Sequence, residues 1–142
     1  MRFSLLSVVI ILAACSSSAG PTTVPVGSSG ATRIEVRLTD TLKIELAAMT
    51  VRAGPPVTFV VTNTGAIDHE FYLGDEAAQA AHAKEMAAMG GMAHGEPSGI
   101  GVKPGETKEL TFTFPAPGTT LAGCHANAHY AAGMKATITV TG

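Results

Sequence analysis

From residue 32 onward the chain alternates. Ile34, Val36 and Leu38 are apolar, and Arg33, Glu35 and Arg37 stand between them. A period of two sends one set of side chains to a core and the other to solvent, which predicts a half-buried β-strand. Leu42-Lys43-Ile44-Glu45-Leu46 repeats the alternation after a Thr39-Asp40-Thr41 turn, and Met49 to Arg52 is a further short candidate. Ala53-Gly54-Pro55-Pro56 turns the chain into Val57 to Thr62, whose β-branched and aromatic residues predict a strong strand. Asn63-Thr64-Gly65 turns it again, and Ile67 to Leu73 reads as the next strand. Further on, Lys108 to Phe114 places Leu110, Phe112 and Phe114 inward, Thr119 to Gly123 is short, and Lys135 to Thr141 alternates through Ala136, Ile138 and Val140.

One stretch breaks this rhythm. Asp75 to about Met89 is rich in Ala, Glu, Lys and Met, which favour helix, and Gly90-Gly91 ends that tendency. Met92 to Pro97 is expected to be irregular, and Gly99 to Val102 to lead into the Lys103-Pro104-Gly105-Glu106 turn. Seven or eight short strands with turns between them and one helical insertion predict an all-β antiparallel sandwich or barrel over residues 32–142.

The N-terminal part reads differently. Residues 1–14 combine a weakly basic lead with an apolar run far shorter than the ~20 residues a membrane-spanning helix needs. That pattern predicts an export signal. Its end, Leu12-Ala13-Ala14-Cys15, resembles the lipobox of bacterial lipoproteins, so Cys15 is the expected lipid anchor and the membrane an expected partner. Residues 15–31, rich in Ser, Gly, Pro and Thr, are expected to form a flexible tether. The formal net charge is −2, so no basic excess points to nucleic acid. With Cys15 acylated, Cys124 has no disulfide partner within the chain, and outside the cytoplasm a lone thiol calls for a function or a protecting metal.

Cys124 opens the stretch Cys124-His125-Ala126-Asn127-Ala128-His129-Tyr130-Ala131-Ala132-Gly133-Met134. A thiolate, an imidazole and a thioether in one short loop are soft enough to hold copper, and two histidines with a cysteine and a weak axial methionine form the blue-copper ligand set. The second histidine of such a set is His69, in Asp68-His69-Glu70-Phe71. His125, beside the cysteine, is expected to form local hydrogen bonds or lie at the surface. The apolar residues Ala128, Tyr130, Ala131 and Ala132 suggest a docking patch for redox partners.

The Cys-x4-His-x4-Met loop resembles that of the cupredoxins, the family of plastocyanin, azurin and auracyanin, and the resemblance covers roughly residues 32 to 142. It implies a Greek-key β-sandwich with one type 1 copper, Cu(I)/Cu(II), held by His69, Cys124, His129 and Met134. It is nearest to a bacterial subgroup with an Asp-His-Glu-Phe first motif, some of whose members are associated with copper tolerance and others with electron transfer. Plastocyanin and azurin usually carry Asn after the first histidine, bracing the cysteine loop; here Glu70 stands there.

The implied function is a single-electron carrier at the bacterial envelope, monomeric and without catalysis of its own. The alternative is copper sequestration, using a second Cu(I) site built from His82, Met86, Met89, Met92 and His94. Met86 and Met89 are three residues apart and would share a helix face. Packing of these methionines onto the sandwich accounts for them equally well.

Overall fold

The computed structural model describes residues 32–91 and 95–142. Nine strands and one α-helix follow one another as β1 (Thr32–Thr39), β2 (Lys43–Leu46), β3 (Thr50–Arg52), β4 (Pro56–Asn63), β5 (His69–Gly74), α1 (Glu76–Ala88), β6 (Gly99–Val102), β7 (Thr107–Thr113), β8 (Gly118–Gly123) and β9 (Lys135–Thr141). The expected signal, tether and Cys15 lie outside the described residues, as do Met92 and His94.

Two sheets face each other, one in the order β2-β1-β4-β7 and the other β3-β9-β8-β5-β6. Strand β4 is central in the first and carries the longest apolar run, with Val57, Phe59 and Val61 pointing into the core. Phe59 meets Phe71 of β5 across the sandwich with ring centroids 5.3 Å apart, and Phe114 edge-on at 6.4 Å. Ile34, Val36, Leu38, Leu73, Ile138 and Val140 complete the same cluster. The period-two pattern therefore placed the inward faces of β1, β7 and β9 correctly. This is the two-sheet β-sandwich that the sequence resemblance implies.

Two features depart from the expectation of a purely antiparallel sandwich with seven or eight strands. β1 runs parallel to β4, and β3 parallel to β9. Each pair is joined across the molecule by chain that passes through the other sheet, an arrangement that local alternation does not encode. Gly99–Val102, which leads into the Lys103–Glu106 turn as expected, is itself a strand, pairing with β5 from His69↔Val102 to Tyr72↔Gly99. Gly99 is required by the neighbour it pairs with: a Cβ there would lie 2.9 Å from the Tyr72 ring.

α1 is capped at its start by Asp75, whose carboxylate accepts the Ala78 amide at 2.8 Å. It ends at Gly90 and Gly91, with φ of 72° and 78°, in the left-handed region that glycine adopts without steric cost. Its buried residues are Gln79, His82 and Met86, two of them polar. The helix covers one end of the β5–β8 sheet, where Gln79 donates to the Tyr72, Gly74 and Leu121 carbonyls.

Candidate metal centre

His69 begins β5 and Cys124 follows β8, and these two strands are neighbours with Tyr72 opposite Gly123. That register carries the first residue of one strand and the residue after the other to the same end of the sandwich. His69 Nδ1 lies 3.7 Å from Cys124 Sγ, and His129 Nδ1 lies 3.5 Å from it. His69 and Cys124 are fully buried, and His129 is 8% exposed, the imidazole nearest to solvent. One ligand atom from each of the three residues lies within 4.8 Å of the others.

The loop between Cys124 and Met134 is closed by its own backbone. The Cys124 amide donates to the Met134 carbonyl at 3.1 Å, and the Met134 amide donates to the His129 carbonyl at 3.0 Å. One short helical turn, Ala126–Ala128, reverses the chain, with Asn127 and Ala128 at positive φ (47° and 62°). Such a conformation is unfavourable for alanine and is retained only where the surroundings impose it. Gly133, at φ 98°, leads into Met134, which is fully buried in the same cluster as Cys124. The four residues read from the sequence as copper ligands thus occupy one end of the sandwich, three of them with donor atoms converging and the fourth tied by backbone bonds to two of those three.

Burial pushes the Cys124 thiol up to about 11, opposed by the Glu70 and Ala126 amides that point at it. Burial, and next the neighbouring His69, lower His129. The metal-free pocket therefore holds a neutral thiol facing neutral imidazole at His129. A thiolate with two imidazoles and a thioether suits copper in both oxidation states, because Cu(I) prefers the sulfurs and Cu(II) accepts the nitrogens.

The residue that departs from the plastocyanin and azurin pattern turns out to be central. The Glu70 amide donates to Cys124 Sγ at 3.2 Å, and Glu70 Oε2 accepts the amide of His125 at 3.2 Å. Its other oxygen lies 2.9 Å from His82 Nε2 of α1. His125 stacks on Tyr130 at 4.4 Å, and its Nε2 lies 2.7 Å from Gln79 Oε1. Gln79 Nε2 in turn donates to the carbonyls of Leu121 (3.0 Å) and Tyr72 (3.3 Å). Glycine at 123 leaves room for this, since a Cβ there would lie 2.5 Å from Gln79 Oε1. His125 is accordingly buried and hydrogen-bonded, and burial and then His82 push it down to about 4. Glu70 and Gln79 are contact positions beside Cys124 and His125 that the sequence left unassigned. The Glu70 departure was the only signal for either of them.

The residues proposed from sequence as a second copper site do not assemble among the described residues. His82 lies between the Glu70 and Glu96 carboxylates, 2.9 and 3.0 Å away, and stacks on Tyr72. Met86 is buried, whereas Met89 is the C-terminal cap of α1 and 43% exposed, so the two methionines do not share a face. The last turn of the helix ends before Met89 can follow Met86 inward.

A further polar contact reaches His69 from outside. Its Nε2 lies 3.3 Å from Oδ1 of Asp40, in the β1–β2 turn. The Ala66 amide, which donates to Asp40 Oδ2 at 2.7 Å, is the main cause that holds the Asp40 carboxyl below its usual range.

The geometry and fold together define a cupredoxin. The chain belongs to the plastocyanin/azurin family of copper-binding proteins, whose sequence profile matches residues 31–141. It is 38% identical over 107 residues to the copper-resistant cuproprotein CopI of Rubrivivax gelatinosus, an alignment covering 75% of this chain and 65% of that protein. The chain thus spans just under two thirds of that relative's length. It is 35% identical to CopI of Pseudomonas aeruginosa over 75% of each chain. Its fold matches that of dithionite-reduced auracyanin from Roseiflexus castenholzii, with a TM-score of 0.65 and 28% identity, covering 80% of this chain and all of the other.

Two predictions arise from the site. Copper uptake must displace the Cys124 proton, so raising the pH between about 7 and 9 should strengthen apparent Cu(I) affinity by about tenfold per unit. His129, lowered and neutral in that window, adds no second proton. Competitive chelator titrations at fixed pH measure the slope, and a flat profile would contradict a buried neutral thiol as ligand. Gln79→Leu strips the part-buried Leu121 carbonyl and the buried His125 ring of their side-chain partner and should cost about 1–3 kcal/mol in denaturant unfolding. Unchanged stability would show that Gln79 does not brace the loop.

Proposed function

We propose that this protein is a one-electron carrier of the bacterial envelope, with His69, Cys124, His129 and Met134 as the ligands of its type 1 copper. The observation that carries this reading is the convergence of two imidazole nitrogens, at 3.7 and 3.5 Å, on one buried, unpaired thiol. When bound, copper would supply the Cu(I)/Cu(II) couple, which accepts and returns a single electron.

The chain's own part is to hold its donors still. His69 is fixed on a strand hydrogen-bonded on both sides, by β6 and β8. Cys124, His129 and Met134 are fixed by a loop that backbone bonds close from within and α1 braces from outside. Rigid donors favour neither oxidation state's preferred rearrangement, so little reorganisation accompanies the transfer. The burial of His69 and Cys124 keeps water from the thiolate, and the outer position of His129 leaves its ring as the route by which partner redox proteins reach the centre. Export and anchoring through Cys15 would place the domain on the outer side of a membrane.

Cys124→Ser tests the ligand set. Copper-loaded wild-type protein should show an intense visible thiolate-to-copper charge-transfer band, and the variant should lack it. A wild-type protein that binds copper and stays colourless would rule out a type 1 site.

A second reading, copper tolerance by sequestration, is favoured by the relatives named copper-resistant cuproproteins. Sequestration through the insertion requires more than one copper per chain. Titration of the reduced full-length protein with Cu(I) separates the two readings. We expect a stoichiometry of one, unaltered by Met86→Leu, and a second equivalent lost in that variant would favour the sequestration reading.

A further inference from the structure

Asp40 is the one charged side chain, among the described residues, found in contact with a proposed copper ligand. It sits far from the ligand loop in sequence, in the turn between β1 and β2, and its Oδ1 lies 3.3 Å from His69 Nε2. The opposite ring nitrogen, Nδ1, faces Cys124. An imidazole that gives Nδ1 to a metal keeps its proton on Nε2, and here that proton points at a carboxylate.

The contact is built into the fold. Asp40 Oδ2 accepts the Ala66 amide at 2.7 Å, which ties the β1–β2 turn to the loop that delivers His69. Asn63, fully buried, shapes that same loop: its side-chain amide donates to the Ile67 and Val102 carbonyls at 2.8 and 2.9 Å, and its oxygen accepts the Gly65 amide at 2.9 Å. The space occupied by the carboxylate exists because residue 65 has no side chain. A Cβ at Gly65 would overlap Asp40 Oδ1, and Gly65 does not have the positive φ that would otherwise require glycine.

We propose that Asp40 is a positioning and tuning residue for the copper centre, forming a carboxylate–histidine–copper array through His69. The proposal rests on the reading of His69 as a copper ligand. A carboxylate accepting the distal N–H fixes the ring's tautomer and orientation and makes its other nitrogen more basic. A more basic imidazole favours Cu(II) over Cu(I), so Asp40 holds the reduction potential below the value that His69 would give alone. Substituting such partners changes metal affinity by about 10- to 100-fold. Asp40's side chain is 42% exposed, and solvent screening places the expected effect at the lower end of that range.

The test compares the full-length, copper-loaded wild type with Asp40→Asn and Gly65→Ala, reading the midpoint potential by redox titration of the visible band. Asn keeps an oxygen for the Ala66 amide and removes the charge. Ala at 65 keeps the charge in the chain and displaces it from His69. Asp40→Asn should weaken Cu(II) binding relative to Cu(I) by about tenfold, which for a one-electron couple raises the potential by about 59 mV. Gly65→Ala should raise it in the same direction. A purely structural role for Asp40 would lower the thermal midpoint of both variants and leave the potential in place.

Potentials indistinguishable from wild type in both variants, with the visible band intact, overturn the role of Asp40 and leave the type 1 assignment standing. A wild-type protein without the band removes the assignment, and the role of Asp40 with it. A third measurement needs no variant. Nitrogen-15 NMR of metal-free wild type should find the His69 proton on Nε2, and a proton on Nδ1 overturns the proposal.

Discussion

The Glu70 amide pointing at the sulfur of Cys124, 3.2 Å away, is the contact on which the rest of the centre depends. It exists because β5 and β8 are paired in one register, with Tyr72 opposite Gly123 and Leu73 opposite Ala122. A slip of one residue would turn His69 to the other face of the sheet and bury Glu70 in the core in its place. The core prevents that slip, since Phe71 and Leu73 are fully buried between Phe59 and the rest of the apolar cluster. The hydrophobic pattern of β5 therefore does two things at once. It holds the sheets together, and it fixes the distance between an imidazole and a thiol.

Around that contact the protein has built a polar collar. On one side, Glu70 joins the Cys124 loop to α1 through His82, and Gln79 joins α1 to His125 and to the carbonyls of β5 and β8. The helix is inserted between β5 and the sheet-edge strand β6, and two of its three buried residues are polar where most surface helices bury apolar ones. This follows from what lies beneath it, namely carbonyl groups and a loop that need hydrogen-bond partners. The buried Glu70 carboxylate is raised by desolvation, with His82 and the His125 amide acting against that shift. In plastocyanin and azurin an Asn usually stands at this place. Here a longer, charged side chain reaches the cysteine loop, and the helix supplies a partner for its second oxygen.

On the other side, the ligand histidine is approached from the β1–β2 turn. The two flanks differ in exposure, because Glu70 is enclosed while Asp40 meets solvent. Both are carboxylates within reach of the centre, yet one acts on the loop that carries the thiol and the other on an imidazole.

Much of this was legible in the amino-acid order. Alternation located the inward faces of β1, β7 and β9, because a half-buried strand must show a period of two whatever it pairs with, and β-branched and aromatic composition located β4. The loop from Cys124 to Met134 announced its chemistry, because ligand types and their spacing are local properties. The parallel pairings of β1 with β4 and β3 with β9 were not legible, since nothing in a strand's own composition names its neighbour. The strand at Gly99–Val102 was missed for a related reason: Gly99 makes room for Tyr72, a residue far away in the chain. The helix was foreseen but its purpose was not, because Gln79 looks like a surface residue and His82 like a candidate Cu(I) ligand until the carbonyls and carboxylate they serve are brought beneath them. Asp40 gave no sign at all. A turn aspartate is ordinary in sequence, and only the folding of the β1–β2 turn over His69 made it a partner of the ligand.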